Sequence, residues 1–350
     1  LTLPLDENLS WEALEGMLVT FSQKLTVINN DRWGSEGMVG LANEALSYPT
    51  MIANPGPEAL EVAENNLKRQ ITLDDGSQVV SPQPYPPYLG PGNTLRRGDT
   101  AESITGIVME IQDGYLLQPS KPVIFNRDNQ RPELLPTLRG RTRVAHVNAG
   151  GFFNGDGQGE GFIPGQGPQS LVEYERQRAK LVQTILALDS GVIGLTGIEN
   201  DGYGEESAVN DLVNALNEAV EPELVYQVIE VPGAGQAGFT DTAVLIYRQD
   251  LVSPSGDPVT LSEYPFAKLS RRPHGQRFLS TASGQEITVV LTQFPERDSC
   301  PSDSDPNADQ GDGQACWNKL RTEAAISLAE WVLQLQLESQ VDILVIGDLN

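Results

Sequence analysis

From Thr142 to Asn350 the chain switches repeatedly between two hydrophobic periods, and this constrains its fold more than any other feature. Val144-Ala145-His146-Val147-Asn148 reads as a strand. Glu175 to Leu188 reads as an amphipathic helix with Ala179, Val182, Ile185, Leu186 and Leu188 on one side. Gly191 to Leu195 is a buried strand and Ala208 to Val220 a second helix. Strands are expected over Asp241–Arg248 and Glu286–Leu291, a long helix over Asn318–Leu337, and a last strand over Val341–Ile346. Helices interleaved with strands in this way predict an α/β domain.

The first part of the chain reads differently. Leu18-Val19-Thr20-Phe21, Leu25-Thr26-Val27-Ile28 and Ile71-Thr72-Leu73 are short strand signals. Ile104 to Ile111 leads through Asp113-Gly114 into Tyr115-Leu116-Leu117, the pattern of a hairpin. Strands at this spacing, broken by Gly and Pro, predict a small barrel or sandwich. Residues 81–88 (Ser-Pro-Gln-Pro-Tyr-Pro-Pro-Tyr) read as an extended surface loop. Residues 126–142, with Pro132, Pro136 and a run of Arg and Gly, are the best linker candidate. The expected organisation is a β-rich leader over 1–135 and an α/β domain over 136–350.

The net charge of −25 repels polyanions at long range, so nucleic-acid contact would need a local basic patch or bridging divalent cations. Local basic spots exist at Arg139, Arg141 and Arg143, at Arg176, Arg178 and Lys180, and at Arg271, Arg272 and Arg277. Solubility in a salty medium explains the same charge. No apolar stretch approaches the roughly 20 residues that a membrane-spanning helix needs. Leu1 is not an initiator Met and no signal peptide is visible, as expected of a processed or trimmed product. Cys300 and Cys316, the only cysteines, flank a polar loop. Such a pair fits one disulfide and an oxidising compartment, two separate thiols being the alternative.

The chain ends Val345-Ile346-Gly347-Asp348-Leu349-Asn350. If the strand continues, Asp348 and Asn350 share one of its faces, where a carboxylate and a carboxamide suit a hydrated metal or a phosphate. A turn at Gly347-Asp348 with Asn350 as a cap is the structural alternative. The acidic loop Asp303-Ser304-Asp305-Pro306-Asn307-Ala308-Asp309, with Asp312 behind it, alternates oxygen ligands and is a candidate for Ca2+. It lacks the Gly of an EF-hand, where Ala308 stands, and Gln314 takes the place of the bidentate Glu. The Gly-rich stretch from Gly155 to Gly167 lacks the Gly-Lys-Ser/Thr ending of a phosphate-binding loop and reads as a mobile loop.

Several segments, taken in order, resemble the secreted bacterial nucleases of the endonuclease/exonuclease/phosphatase superfamily. They are Arg141–Ala145 with Asn148 and Phe152-Phe153-Asn154; Gln177–Leu181; Val192–Leu195 with Ile198-Glu199-Asn200-Asp201-Gly202-Tyr203-Gly204; Asp241-Thr242-Ala243 with Ile246-Tyr247-Arg248; Gly311–Gln314 with Cys316-Trp317-Asn318 and Arg321-Thr322; and Gly347–Asn350. Leu73–Ser77 and Leu95–Thr100 are similar, less specifically, to the OB-like leader domain of these nucleases.

The resemblance implies a deoxyribonuclease-like two-sheet α/β sandwich behind an OB-like domain, with the last strands of the sandwich beyond Asn350. It implies extracellular or periplasmic hydrolysis of phosphodiesters with Mg2+ or Mn2+, on DNA before RNA. Asn148 matches the first-strand Asn, and Asp348 and Asn350 match the Gly-Asp-x-Asn pair. The family's metal Glu falls at Gly197 and its catalytic His at Gln293. Pro295-Glu296-Arg297-Asp298 stands where the family is Lys-rich, and its C-terminal Asp-His lies beyond Asn350.

Gly197 has no ligand to give, and Gln293 accepts no proton at neutral pH. Glu199, two residues on, would face the same side on a continuing strand and is the substitute metal ligand; a Glu bonded to its own loop is the alternative. His146, on the face of Asn148, and His274 are the two histidines open to recruitment. Two functions follow: a nuclease or phosphodiesterase with a degraded active site, or an inactive relative that binds a protein partner or assembles with itself.

Overall fold

The computed structural model describes the chain except residues 80–86, 89–93, 112–113, 133–135, 137, 141, 233–239 and 270. Most of the proline-rich loop, Asp113 of the hairpin turn and Arg141 therefore lie outside the described residues. The chain divides into two compact units. One is Leu1–Glu133 with Gln310–Gln314, and the other is Leu134–Asp309 with Ala315–Asn350.

The first unit runs α1 (Trp11–Leu14), β1 (Leu18–Phe21), β2 (Leu25–Asn29), α2 (Trp33–Glu36), β3 (Val39–Ala42), α3 (Pro49–Ile52) and α4 (Pro57–Leu67). It continues with β4 (Gln70–Leu73), β5 (Thr100–Ala101), β6 (Ile104–Ile111) and β7 (Gly114–Pro119). These strands make one seven-stranded sheet in the order β1-β6-β7-β4-β3-β2-β5. Alternate residues (Leu25 and Val27, Val39 and Leu41, Ile71 and Leu73) enter a single core with Phe21, Ile104 and Leu117. The hairpin expected at 104–117 is present, with Ile111 paired to Gly114.

The second unit is the two-sheet α/β sandwich. It runs β8 (Val144–Phe152), α5 (Leu171–Leu188), β9 (Val192–Glu199), α6 (Ala208–Glu218), β10 (Tyr226–Val228) and β11 (Asp241–Arg248). Then come β12 (Val252–Pro254), β13 (Val259–Thr260), β14 (His274–Ser280), β15 (Glu286–Gln293), α7 (Asn318–Ser339) and β16 (Asp342–Asp348). One sheet has the order β10-β11-β9-β8 and the other β12-β14-β15-β16, with β13 added on β14.

Each sheet is buried on both faces, so its central strands are apolar almost throughout. Ile193, Leu195, Val244 and Ile246 face Ile185 of α5 and Leu212 and Leu216 of α6. Val290 faces Ala324 and Leu328 of α7. Between the sheets lie Val192, Leu245, Tyr247, Phe278, Val289 and Leu291. Gly194 sets how closely the sheets approach, since a Cβ there would come within 2.7 Å of Leu291 and Ile346. The helix starts are capped by side chains: Ser170 accepts from the Glu173 N–H, and Ser207 from that of Asn210. Asn307 Oδ1 takes the Leu320 N–H near the start of α7. Cys300 and Cys316 are joined in a disulfide.

Candidate functional site at the mouth of the sandwich

Strand alternation decides what reaches the site. In β8, Ala145 and Val147 pack toward the helices, so His146 and Asn148 face the opposite sheet. In β16, Ile346 is in the inter-sheet core, so Asp348 faces inward one step further on. In β15, Val289 and Leu291 are inward, and Gln293 follows them beside Asp348 in register. In β14, Phe278 is inward and so is His274, opposite Leu291. Hence Asn148, His146, Gln293, Asp348 and His274 all gather at one end of the inter-sheet face. The matched positions, scattered over 200 residues of sequence, reach one mouth because two parallel strand pairs finish there.

His146 Nε2 lies 3.1 Å from Thr196 Oγ1. Partial burial lowers its pKa while the charge of Asp348 pulls it back up. His274 is buried, with Nδ1 3.2 Å from the Arg272 carbonyl, and burial pushes its pKa down to about 4. It is therefore neutral at physiological pH. Its Nε2 has no partner among the described residues, nor has Oε1 of the buried Gln293. Arg271 and Asp241 form a half-buried ion pair at the same end, which sequence alone did not reveal.

Two expectations change at the strand ends. β16 stops at Asp348, and Asn350 adopts φ 49°, so the two do not continue one strand face. Asn350 instead caps the sheet end. Its N–H donates to Asp348 Oδ1 at 3.1 Å and its amide to the Phe294 carbonyl at 2.9 Å. The Asp348 side chain thus closes an Asx-type turn, and the Asn350 amide satisfies the Phe294 carbonyl at the end of β15, which matches the capping alternative. Gly347, at φ 135°, is required because a Cβ would collide with the Thr292 carbonyl.

β9 likewise does not continue regularly. Its register with β8 shifts between Asn148 and Phe152, and with β11 between Thr242 and Val244. The bulge sits at Gly197, whose φ is +70°. A Cβ there would meet the Gly151 N at 3.2 Å and both Asn148 Oδ1 and the Gly150 N at 3.3 Å. Any side chain at position 197 would thus press against β8 backbone and the Asn148 amide in a backbone conformation that L-residues rarely adopt. Asn148 Oδ1 is itself engaged by the Gly150 N–H at 2.9 Å. Glu199, past the bulge, accepts the Asn154 N–H at 2.8 Å. Burial raises its carboxyl pKa, with that N–H lowering it and Asp201 raising it further.

Tested against Mg2+ or Mn2+, the donor set does not fit. Asp348 offers a carboxylate at the mouth, Asp241 is paired with Arg271, position 197 contributes no side chain, and Gln293 offers an amide rather than an imidazole. Among the described residues, no three His, Cys, Asp or Glu side chains come together to hold a metal. The same holds for the acidic loop expected to take Ca2+. There Asp305 Oδ1 accepts from Asn307 and Asp312 Oδ1 from Gln314.

Four of the nine residues in the basic spots are drawn into ion pairs. Arg143 pairs with Asp189, Arg178 with Asp211 and Arg271 with Asp241, and Arg277 lies 3.8 Å from Glu286. The Gly155–Gly167 segment closes on itself, Asp156 Oδ1 collecting the N–H groups of Gln158 and Glu160. No described helix is long and apolar enough to cross a membrane.

No protein-family model and no curated protein sequence matches the chain. Similar solved structures include the human Nocturnin catalytic domain with bound sulfate, 14% identical over 51% of this chain and 57% of that one, with a TM-score of 0.36. An endonuclease/exonuclease/phosphatase family protein from Bacteroides thetaiotaomicron is 16% identical over 51% and 56%, with a TM-score of 0.35. A mannosyl-6-phosphatase from the same species is 17% identical over 51% and 58%, with a TM-score of 0.35. The chain thus spans between 56 and 58% of the length of these structures. Likeness at this level carries no functional argument, and the two-sheet α/β sandwich stands on its own strand order and layers.

Proposed function

We propose that this chain is an extracellular relative of the metal-dependent nucleases and phosphodiesterases whose hydrolytic metal centre has been lost. Its mouth then serves to bind a phosphorylated ligand rather than cleave it. The observation that carries this reading is Gly197: it supplies no carboxylate, and its positive φ and the three atoms within 3.2–3.3 Å of its Cβ position disfavour one there. The ordered motifs of the sequence support the lineage, and the disulfide supports an oxidising compartment. With a net charge of −25, and Arg143 and Arg178 drawn into ion pairs, long-range attraction to a nucleic acid is weak. A short phosphorylated ligand or a strand end, DNA before RNA, suits the mouth better than a long duplex.

The test is plasmid nicking with Mg2+, Mn2+ or Ca2+ beside EDTA and Asp348→Ala, together with anisotropy on a 5′-labelled oligodeoxynucleotide. The expected result is no nicking and measurable oligonucleotide binding that Asp348→Ala alters. Metal-dependent nicking lost in Asp348→Ala would refute it. One observation favours a second reading, residual hydrolysis: His146 and Asp348 project from facing strands, and the Asp348 carboxylate pulls the His146 pKa up. In that case His146→Ala would abolish the nicking.

A further inference from the structure

The first unit holds a hollow of about 500 Å³, a volume inside the range of about 300–1,000 Å³ that small-ligand sites occupy. Its lining joins two aromatic rings to a row of uncharged polar residues. Trp11 of α1 and Tyr115 of β7 both line it, and their rings stack with centroids 6.4 Å apart and planes inclined by 25°. Neither ring is fully buried, so the pair offers a flat apolar shelf.

Asn29 of β2, Gly40 of β3 and Thr72 of β4 also line the hollow. Gly40 is in register with Asn29 on one side and with Thr72 on the other, so the three form a row across the sheet. Residues directly opposed on neighbouring strands share a face. Gly40 has no side chain to stand between the other two, and two strand spacings put Asn29 and Thr72 roughly 10 Å apart. Gln70, a further lining residue, lies two before Thr72 on the same strand and shares its face.

These polar groups are not used up inside the protein. Asn29 Oδ1 takes the Asp31 N–H at 2.8 Å. Among the described residues, none bonds to the Asn29 Nδ2, the Gln70 amide or the Thr72 hydroxyl. Amide and hydroxyl together both donate and accept, which matches a ligand whose own groups do the same.

The charges nearby argue against an anion. Tyr115 Oη donates to Glu12 at 2.6 Å. That bond, burial, and the charges of Glu12, Glu110 and Glu15 push the phenol pKa up to about 12. Arg32, the basic residue of the lining, has its Nε bonded to Glu36 at 3.0 Å. A phosphodiester entering here would meet three carboxylates and an arginine already engaged.

We propose that this hollow is a saccharide site for two or more neutral sugar rings. Trp11 and Tyr115 stack on the apolar face of one ring, and Asn29, Gln70 and Thr72 bind hydroxyls. A row of polar groups roughly 10 Å long suits hydroxyls on neighbouring rings better than the single edge of one nucleobase. The inference is independent of what the mouth of the sandwich binds.

The experiment titrates the whole chain with maltotriose, cellotriose and chitotriose, followed by calorimetry and by NMR of the tryptophan indole N–H groups. Saturable binding of at least one trisaccharide at millimolar concentration is expected. It should shift the Trp11 indole signal, assigned with Trp11→Phe, and leave those of Trp33, Trp317 and Trp331 in place. Thr72→Val and Gln70→Leu each remove one polar group and should weaken binding about five- to tenfold. Four results would each overturn the site: no saturable binding of any of the three sugars, a bound sugar that leaves Trp11 unmoved, wild-type affinity in both variants, or tighter binding of adenosine or an oligothymidylate than of the best sugar. Should the variants fail to fold, the wild-type indole pattern decides, because a ligand in this hollow moves Trp11 and not the other three.

Discussion

Gly197→Ala separates a glycine that has merely lost a side chain from one the fold now demands. At φ +70° an L-residue costs about 1–2 kcal/mol. The added Cβ would also meet Gly151 N at 3.2 Å and Asn148 Oδ1 and Gly150 N at 3.3 Å. Two of these atoms are backbone, and the third is fixed by its bond to the Gly150 N–H, so none swings aside. Overpacking of this kind adds about 1–3 kcal/mol, which puts the substitution at about 2–5 kcal/mol in all. Gly150→Ala is the matched control, with φ +69° and nothing within 4 Å of its Cβ position. It should cost about 1–2 kcal/mol, the backbone penalty alone. Urea unfolding of both variants, followed by circular dichroism and tryptophan fluorescence, gives the difference. If Gly197→Ala is no more destabilising than Gly150→Ala to within about 0.5 kcal/mol, the crowding argument fails. The case for a lost metal centre would fail with it. Gly197→Glu carries the same Cβ, so Gly197→Glu with Gln293→His should be unstable and should not nick DNA.

Acid stability should depend on His274. Its folded pKa of about 4 lies below the ordinary value of 6.5, so the folded state binds fewer protons between those limits. Stability is therefore present above pH 6.5 and is lost as pH falls toward 4, at up to about 1.4 kcal/mol per pH unit. Relative to wild type, His274→Leu should gain stability at pH 4.5 compared with pH 7.5; parallel pH profiles would contradict this. Replacing Cys300 and Cys316 together with Ser should cost roughly 3 kcal/mol, from the loop between residues 16 apart, measured by urea unfolding without reductant. Gly347→Ala should disrupt the end of β16, read as faster hydrogen exchange at Thr292 to Phe294, because its Cβ would strike the Thr292 carbonyl; unchanged exchange there would show that the strand end relaxes freely.

What was legible in the sequence was what periodicity and local chemistry encode. β11 was read to its end residues because it is one continuous apolar run between Asp241 and Arg248, and α5, α6, α7 and β16 were read to within a few residues from their apolar content and length. β14 left no such signal: its inward positions are His274, Gln276, Phe278 and Ser280, three of them polar. Helix α4 was missed; it is short, and Ala59 is its only buried residue. The sequence alone also placed His146 and Asn148 on one face.

Only the tertiary structure decided what those positions do. The bulge at Gly197 depends on backbone from β8, and the pairing of Arg143, Arg178 and Arg271 on acids far along the chain. The engagement of Asn350 likewise depends on Phe294. Periodicity is a property of neighbours in sequence, whereas steric room, hydrogen-bond satisfaction and charge pairing belong to atoms that meet only when the sheets pack.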